Sequence, residues 1–433
     1  MTGMATSIKK IVAASLIGTT IEWYDFFLYG SAAALVFNKL FFPESDPLTG
    51  TLLSFLTYAV GFVARPLGGL VFGHFGDRLG RKTLLVVSLL MMGAATFLIG
   101  CLPTYATLGS SAALLLTALR LVQGFALGGE WGGAVLIVSE HGDTNRRGFW
   151  ASWPQAGAPG GNLLATGVLA VLAAWQSDEA FLSWGWRVPF LLSGVLVMVG
   201  LWIRLTISES PLFQQAQQAQ QAQPEPVAPI VGVLRHHWKD VLVAIGARLA
   251  ENISFYLLTV FVITYAKNAK IDNSTVLNAV LLASAIHFVT IPMWGALSDR
   301  IGRRPVYLVG AAGIGVWIFA FFPLVDTGNF LAIALAITVG LLFHGMMYGP
   351  QAAFFSELFG TRMRYTGVSI GAQLSAIVAG ALAPLIAVAL LKSYSSSVPI
   401  SAYLGVAAVL TLIAVYTARE TQGHDLAERM HVR

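Results

Sequence analysis

Long apolar stretches dominate this sequence, and they limit the folds that the chain can adopt. About twelve of them run for roughly 20 residues or more without the apolar–polar alternation of a strand. A helix of about 20 residues crosses the hydrocarbon core of a bilayer with all its backbone hydrogen bonds satisfied internally. Only 11% of the residues are charged, against about 25% in soluble domains. The sequence therefore predicts an all-α, multi-pass membrane protein.

The predicted spans form two sets of six, separated by a polar segment. The first set covers about 11–37, 51–75, 83–102, 110–138, 149–174 and 187–206, and the second about 240–266, 276–297, 305–323, 330–356, 365–391 and 401–418. The glutamine-rich segment between them is typical of a surface linker. We expect an N-terminal six-helix bundle over 1–206, a cytoplasmic linker over 207–239, a C-terminal six-helix bundle over 240–418 and a cytoplasmic tail over 419–433.

A basic motif occurs once in each half. Residues 73–82 read G-H-F-G-D-R-L-G-R-K and residues 295–304 read G-A-L-S-D-R-I-G-R-R, each between the second and third span of its half. Such repetition predicts duplicated bundles of the same topology.

Loop charge predicts the orientation. The loops on the side of the N-terminus carry most of the lysine and arginine, whereas the opposite side holds only Lys39, Lys267, Lys270 and Lys392. The positive-inside rule therefore places both termini in the cytoplasm. Cys101 is the only cysteine, which excludes an intrachain disulfide. The first apolar run is interpreted as a retained helix and not as a signal peptide.

Two carboxylates lie inside the first predicted span. Glu22, Asp25 and Tyr29 are spaced three and four residues apart, so they share one helical face. An acid at that depth costs about 2.5–3.5 kcal/mol on insertion scales. The pair is either structural and hydrogen-bonded or faces a wet cavity, and we favour the cavity. The proton-coupling candidates are Asp25, Glu130 and Glu22.

Polar residues recur on every third predicted span, namely spans 1, 4, 7 and 10. Their helical phase predicts a central cavity lined by these helices. Candidates for substrate binding, with additions from spans 2 and 5, are Arg120, Gln123, Tyr29, Tyr58, Gln155, Asn162, Asn252, Tyr256, His344, Tyr348 and Gln351.

Alternatives stay open in the second half. Arg248 and Glu251 either line the cavity or pair with each other at three-residue spacing. His344 is either a satisfied interior histidine or a proton relay. His287 is interpreted as structural.

Arg65 lies near the middle of the second span, next to Pro66. It is either the countercharge of Asp25 or an anchor for an anionic substrate. Arginine stays charged and binds a carboxylate through a two-pronged fork, whereas a carboxylate can take up a proton. This difference predicts that the substrate anion binds to an arginine and that the coupling proton binds to an acid.

The basic loops supply candidates for gating. Their aspartates can accept hydrogen bonds from a neighbouring helix N-terminus, and their arginines can form ion pairs that break when that face opens. Alternatively, the loops only fix topology and bind lipid headgroups. The gating candidates are Asp77, Arg78, Arg81, Glu140, Asp299, Arg300, Arg303 and Glu357.

These motifs resemble one family over nearly the whole chain. The two D-R-x-G-R loops resemble the signature of the major facilitator superfamily. More narrowly, E-W-Y-D-F at 22–26, R-P-L-G-G at 65–69, R-L-V-Q-G-F-A-L-G-G-E-W-G at 120–132 and W-G-W-R-V-P-F at 184–190 are similar to the metabolite:proton symporter family, above all to its shikimate permease-like members. The resemblance implies a major facilitator fold of twelve transmembrane helices in the bacterial cytoplasmic (inner) membrane. It also implies that Arg65 and Arg187 bind the substrate's carboxylate.

The predicted function is a proton-coupled symporter that imports a small hydrophilic organic acid by alternating access. The substrate is expected to be a shikimate-like hydroxy acid or a di- or tricarboxylate. The alternative is a proton-driven drug or metabolite exporter, indicated by P-Q-A-G-A-P-G-G at 154–161. An enzyme is not expected, because the G-V-S-I-G at 367–371 follows no strand. The expected partners are protons, a small organic anion and the lipid bilayer, with no metal, cofactor or nucleic acid, and the chain is expected to be a monomer.

Overall fold

The structure, a computed structural model, describes residues 8–79, 81–128, 135, 138–139, 144–206, 238–358 and 371–423. Twelve long helices make up most of this part. In the first half they are α1 (Ile8–Leu40), α2 (Pro47–Leu79), α3 (Arg81–Cys101), α4 (Ser111–Leu127), α5 (Arg147–Trp175) and α6 (Arg187–Thr206). In the second half they are α7 (Trp238–Asn268), α8 (Asn273–Ile301), α9 (Arg303–Asp326), α10 (Phe330–Leu358), α11 (Gly371–Tyr394) and α12 (Val398–Thr417). Each coincides with a predicted span, which confirms the twelve-helix prediction.

The outer surface is apolar, as a lipid-facing surface must be. Val316 is 76% exposed, Leu331 73% and Met198 71%. Within the described residues, eight helices are long and apolar enough to cross a bilayer, and α6 with the short bent segment before it makes a ninth. Polar side chains are buried in the interior instead, where other helices shield them from lipid.

Contacts between the two halves come from a few helices. Helix α5 packs on α8 and α10, while α2 packs on α11. Within the halves, α3 packs on α4 and α6, and α9 packs on α10 and α12. The polar helices α1 and α7 consequently lie toward the middle of the molecule, where their buried faces can line a cavity.

Small residues bring α1 and α5 together. A Cβ atom on Gly157 would lie 2.8 Å from Thr19 Cβ, and one on Gly161 would lie 2.6 Å from the Trp23 carbonyl carbon. The glycines of the 154–161 motif therefore allow close helix packing. Packing is a simpler explanation of this motif than the similarity to exporters.

Among the described helices, α1, α7 and α11 contain wide π turns, and those of α1 and α7 lie at matching places. The turn in α1 spans Ala33–Phe37, and the turn in α7 spans Leu257–Phe261. A π turn holds more residues than an α turn and leaves backbone carbonyls less well bonded. Lys267 of α7 supplies a donor there, because its Nζ lies 3.4 Å from the Ala34 carbonyl oxygen and 3.5 Å from that of Leu35. The two helices are thus joined at this end of the molecule.

Candidate functional site

A small polar cavity lies at the centre of the molecule. Its volume is about 40 Å³, room for about three water molecules. The polar residues that line it come from five helices: Thr19, Glu22, Arg65, Gln155, Arg248, Asn252 and Gln373. This volume is too small for an organic molecule of several carbons.

Arg65 is the lining residue with the most unused binding capacity. Its guanidinium carbon lies 4.5 Å from the ring centre of Phe26 and 4.3 Å from that of Phe62. The side chain is buried, and its Nε and Nη2 atoms have no hydrogen-bond partner in the described part of the chain. No described acid forms an ion pair with it, Asp25 included. A buried, unpaired guanidinium beside a cavity is suited to bind an anion.

A second guanidinium, that of Arg120 on α4, lies against the same aromatic ring. Its carbon is 4.6 Å from the Phe26 ring centre and 4.5 Å from each of the Tyr29 and Tyr58 ring centres. Arg120 donates to Gln123 Oε1 at 3.0 Å, while its Nη2 has no partner among the described residues. The aromatic faces stabilise both cations, and the two charges make this region attractive to an anion.

Asp25 is fully buried but does not line the cavity. Its carboxyl accepts a hydrogen bond of 2.6 Å from Ser193 Oγ on α6, and the Thr96 side chain of α3 lies beside it. Thr96 Oγ1 in turn accepts a 2.7 Å bond from Gln123, whose amide oxygen binds Arg120. A polar chain thus connects the acid to the arginine without direct contact. Glu22, three residues away, does line the cavity.

In the second half, Glu251 of α7 is the centre of a buried polar cluster. It accepts hydrogen bonds from Gln351 Nε2 at 3.0 Å and Asn252 Nδ2 at 3.3 Å, and it lies 3.4 Å from Arg248 Nε. His344 Nε2 is 3.4 Å from its other oxygen. Arg248 therefore both pairs with Glu251 and lines the cavity.

His287 is not an isolated structural histidine, because its Nε2 lies 3.0 Å from Nδ1 of His344. This contact joins α8 to α10. This contact was not predictable from the sequence, because the two residues are 57 positions apart on helices whose relative rotation only packing determines.

The other candidates for substrate binding make contacts between the two halves or within the first half. Gln155 and Asn162 connect α5 to the second half, through the Tyr348 carbonyl at 3.4 Å and Ser284 Oγ at 2.9 Å. Tyr29 bonds Thr57 on α2 at 2.7 Å. Tyr58 and Tyr256 pack in the aromatic cluster around Phe26. Arg187 does not line the cavity, because it donates to the carbonyls of Gly100 and Leu102 at the end of α3.

Where α5 and α9 begin, a charged cluster joins the two halves. Asp299 accepts hydrogen bonds of 2.8 Å from the backbone N–H groups of both Gly148 and Phe149 at the start of α5. Glu357 binds Arg147 of the first half at 2.9 Å and Arg303 of the second half at 3.1 Å. Arg303 also binds Asp299 at 2.7 Å.

Three of the predicted gating residues thus meet in this cluster, whereas Arg300 is exposed. The side chains of Asp77, Arg78, Arg81 and Glu140, and the proton-coupling candidate Glu130, lie outside the described residues. Arg147 is a contributor that sequence reasoning missed. The repeat carried the signal, since S-E followed by an arginine-rich turn occurs in both halves.

The segment after α12 closes over this charged cluster. Glu420 accepts hydrogen bonds from the backbone N–H groups of Arg303 at 2.9 Å and Arg304 at 3.0 Å, the first residues of α9. Thr421 Oγ1 donates to Glu357 at 2.8 Å. Burial acts to raise the pKa of the Glu420 carboxyl, but these backbone donors outweigh it and lower the pKa. The carboxylate is therefore charged at neutral pH and caps α9.

The opposite end of the molecule is also bridged. Lys392 of α11 lies 3.4 Å from Asp46, in the turn before α2. Hydrogen bonds from the side chain and backbone of Thr49 lower the pKa of Asp46 to about 2. This exposed pair is weak in water, in contrast to the buried cluster at the other end.

A twelve-helix membrane protein with a central cavity lined by polar residues and with contacts between its halves at both ends has the architecture of a membrane transporter. The family model described as "Major Facilitator Superfamily" matches residues 15–384 and 253–430. The chain belongs to the Major Facilitator Superfamily, and it is a transporter and not an enzyme.

Three known proteins illustrate the similarity. The chain is 41% identical to the inner membrane metabolite transport protein YhjE of Escherichia coli K12, over 97% of this chain and 96% of that protein. It is also 41% identical to the shikimate transporter of the same organism, over 90% and 89%. A crystal structure of a D-xylose-proton symporter superposes with a TM-score of 0.76 at 17% identity, covering 97% of this chain and 100% of that one. The family resemblance seen in the sequence motifs is confirmed, and the structural match confirms the fold.

Proposed function

We propose that the protein is a proton-coupled symporter that imports a small hydrophilic organic acid across the bacterial inner membrane, with both termini in the cytoplasm. The 41% identity to a shikimate transporter and to an inner membrane metabolite transport protein supports the substrate class and the membrane. Amide side chains near the cavity, such as Gln155 and Asn252, favour a hydroxylated acid because they can both donate to and accept from hydroxyl groups.

The observation that carries the proposal is the unpaired guanidinium of Arg65. Burying a charge without a partner is costly, and the described residues give Arg65 only aromatic faces. A substrate carboxylate would supply the missing partner through two parallel hydrogen bonds. Because the arginine cannot lose its proton, a separate acid must carry the coupling proton. Asp25, Glu22 and Glu130 are the candidates in the first half.

Transport then requires the cavity to expand and to open on alternate sides. We propose that the bundles 1–206 and 240–418 rock about the α2–α11 and α5–α8 contacts, with 207–239 as a cytoplasmic linker. Opening toward the cytoplasm separates Asp299 and Glu357 from the start of α5. Opening toward the other side separates Lys267 from α1. The conformational change costs less free energy when the charges in the loaded site are balanced than when one of them is unpaired.

Uptake by proteoliposomes tests this function. With radiolabelled shikimate outside and an inward proton gradient, we expect accumulation that a protonophore abolishes. Arg65→Lys should lose uptake at least tenfold, because one ammonium cannot replace the fork. Arg187→Lys is the matched control, since Arg187 binds backbone carbonyls that lysine can also reach. Export in place of import, or a larger loss in Arg187→Lys than in Arg65→Lys, contradicts the proposal.

A further inference from the structure

Three buried groups of the second half form a hydrogen-bonded series from α8 through α10 to α7. His287 is 1% exposed, His344 1% and Glu251 3%. Nε2 of His287 lies 3.0 Å from Nδ1 of His344, whose Nε2 lies 3.4 Å from Glu251 Oε1. His344 contacts a neighbouring group with each of its ring nitrogens, and His287 contacts His344 with one of its own. Ring nitrogens in contact in this way can pass a proton from one ring to the next.

The neighbours of Glu251 determine which nitrogens carry protons. Gln351 Nε2, Asn252 Nδ2 and Arg248 are all donors or cations directed at this carboxyl, so it acts as an acceptor. His344 therefore donates through Nε2 and, as a neutral ring, accepts at Nδ1. The proton in the contact between the rings must then be on Nε2 of His287.

This assignment leaves Nδ1 of His287 as a bare acceptor, and that atom is buried with no hydrogen-bond partner among the described residues. The indole Nε1 of Trp294 is unpartnered in the same way. Both side chains flank Gly345, because a Cβ atom there would lie 2.9 Å from Trp294 Cδ1 and 3.5 Å from His287 Cδ2. The series thus begins at a buried ring nitrogen that has no hydrogen-bond partner among the described residues.

We propose that His287 and His344 relay a proton to Glu251, which makes the second half a proton-binding unit of the transporter. A proton binds Nδ1 of His287, the Nε2 proton of His287 moves to Nδ1 of His344, and the Nε2 proton of His344 moves to Glu251. One proton enters and one carboxyl is protonated, while both rings end neutral with the proton on the opposite nitrogen. This inference rests on the proposed proton-coupled function and adds residues to it.

The relay connects directly to the substrate site. Arg248 lies 3.4 Å from Glu251 and lines the central cavity. Protonation of Glu251 removes the countercharge of Arg248, which then attracts a substrate carboxylate more strongly. Proton binding and anion binding in this half therefore favour each other.

The surrounding groups do not compete for the proton. Besides Arg248, the titratable side chains that face the cluster in the described part of the chain are tyrosines: Tyr256 of α7, Tyr307 of α9 and Tyr348 of α10. The Tyr307 hydroxyl donates to the Ala247 carbonyl and accepts from Gln351. Helix α5 presents the neutral Asn162, bonded to Ser284 one turn before His287.

The relay is tested by separating net proton-driven uptake from exchange. In proteoliposomes with radiolabelled shikimate, His287→Gln retains a donor toward His344 but cannot pass a proton on. We expect its gradient-driven uptake to fall at least tenfold, while counterflow without a gradient stays within twofold of wild type. His344→Gln should lose gradient-driven uptake to a similar extent. Val289→Ala, on the lipid-facing side of α8 with 61% exposure, is the control and should match wild type in both assays.

A measurement on the unaltered protein covers the case in which the variants do not assemble. Nitrogen-15 NMR of histidine side chains at alkaline pH should show the buried pair both protonated at Nε2. A proton on Nδ1 of either ring, or wild-type gradient-driven uptake in His287→Gln, overturns the relay. If wild type itself shows no gradient-driven uptake, the proposed function fails instead, and the two failures are thereby distinguished.

Discussion

Asp299→Asn should release the charged contact between the two halves and populate a state that is open at the end where α5 and α9 begin. The carboxylate accepts two backbone N–H groups at the start of α5, from Gly148 and Phe149, both at 2.8 Å. An asparagine has one acceptor oxygen and would direct its NH₂ group at the second N–H donor. At least one charge-assisted hydrogen bond is lost, together with the interaction of the negative charge with the helix N-terminus.

These losses determine how much free energy the closed state loses relative to the open state. A hydrogen bond to a charged group contributes about 1.5–3 kcal/mol, and a charge at a partly buried helix terminus about 0.5–2 kcal/mol. Since the two overlap, we expect closure to weaken by about 2–4 kcal/mol, or roughly 30- to 1000-fold in the equilibrium between closed and open states.

Distances from double electron–electron resonance spectroscopy would measure this shift. Spin labels at positions 146 and 301, both exposed, report the separation of α5 and α8 in a Cys101→Ser background. The wild type should give mainly the short distance, and Asp299→Asn should give mainly a longer one.

Asp326→Asn is the matched control, because Asp326 accepts a 2.8 Å bond from Tyr265 within the second half and touches no residue of the first half among the described contacts. An unchanged distance distribution in Asp299→Asn, or an equal change in Asp326→Asn, refutes the reasoning.

Three further predictions concern other parts of the molecule. Asp25→Asn and Glu130→Gln should abolish proton-driven uptake, with at least one of them retaining substrate exchange; full uptake in both would show that the proton binds elsewhere. Gly157→Val should lower the thermal stability in detergent by several degrees, because the new side chain collides with Thr19 at the α1–α5 contact; an unchanged melting temperature would contradict that packing. Glu420→Gln should lower the melting temperature at neutral pH, and the difference from wild type should vanish on acidification. The folded pKa of Glu420 is lowered, so its stabilisation is present above the unfolded pKa and is lost as the pH falls through the folded one; a difference independent of pH would exclude the charge as its cause.

The sequence predicted the twelve helices because spanning a bilayer is a local constraint on length and polarity. Each helix needs its own apolar run, and a run such as that of α9 (Arg303–Asp326) is readable without knowing its neighbours. The repeated basic motif likewise indicated Asp299 and Arg303, since the duplication preserves local sequence.

Relations between helices were harder to predict. The three-residue spacing of Glu22 and Asp25 places them on nearly the same face, yet Glu22 lines the cavity and Asp25 binds Ser193 of α6. Which side of that face meets water depends on how α1 is rotated against its neighbours. The pairing of Arg147 with Glu357 spans 210 positions, and a single sequence does not reveal which helix ends meet.

The π turns of α1 and α7 carry a consequence for how the protein tolerates length changes. Each wide turn behaves as a one-residue surplus in an α-helix, so deleting a single residue within Ala33–Phe37 should restore regular winding rather than break the helix. Because the wide turn already absorbs the extra residue, the end of α1 beyond it would keep its rotation relative to the part that holds Glu22. Lys267 would still lose its partners, because the carbonyls of Ala34 and Leu35 would return to regular helical hydrogen bonds, while the acids would keep their places. The length of this turn therefore controls the contact between α1 and α7 at this end of the molecule, independently of the chemistry at the centre.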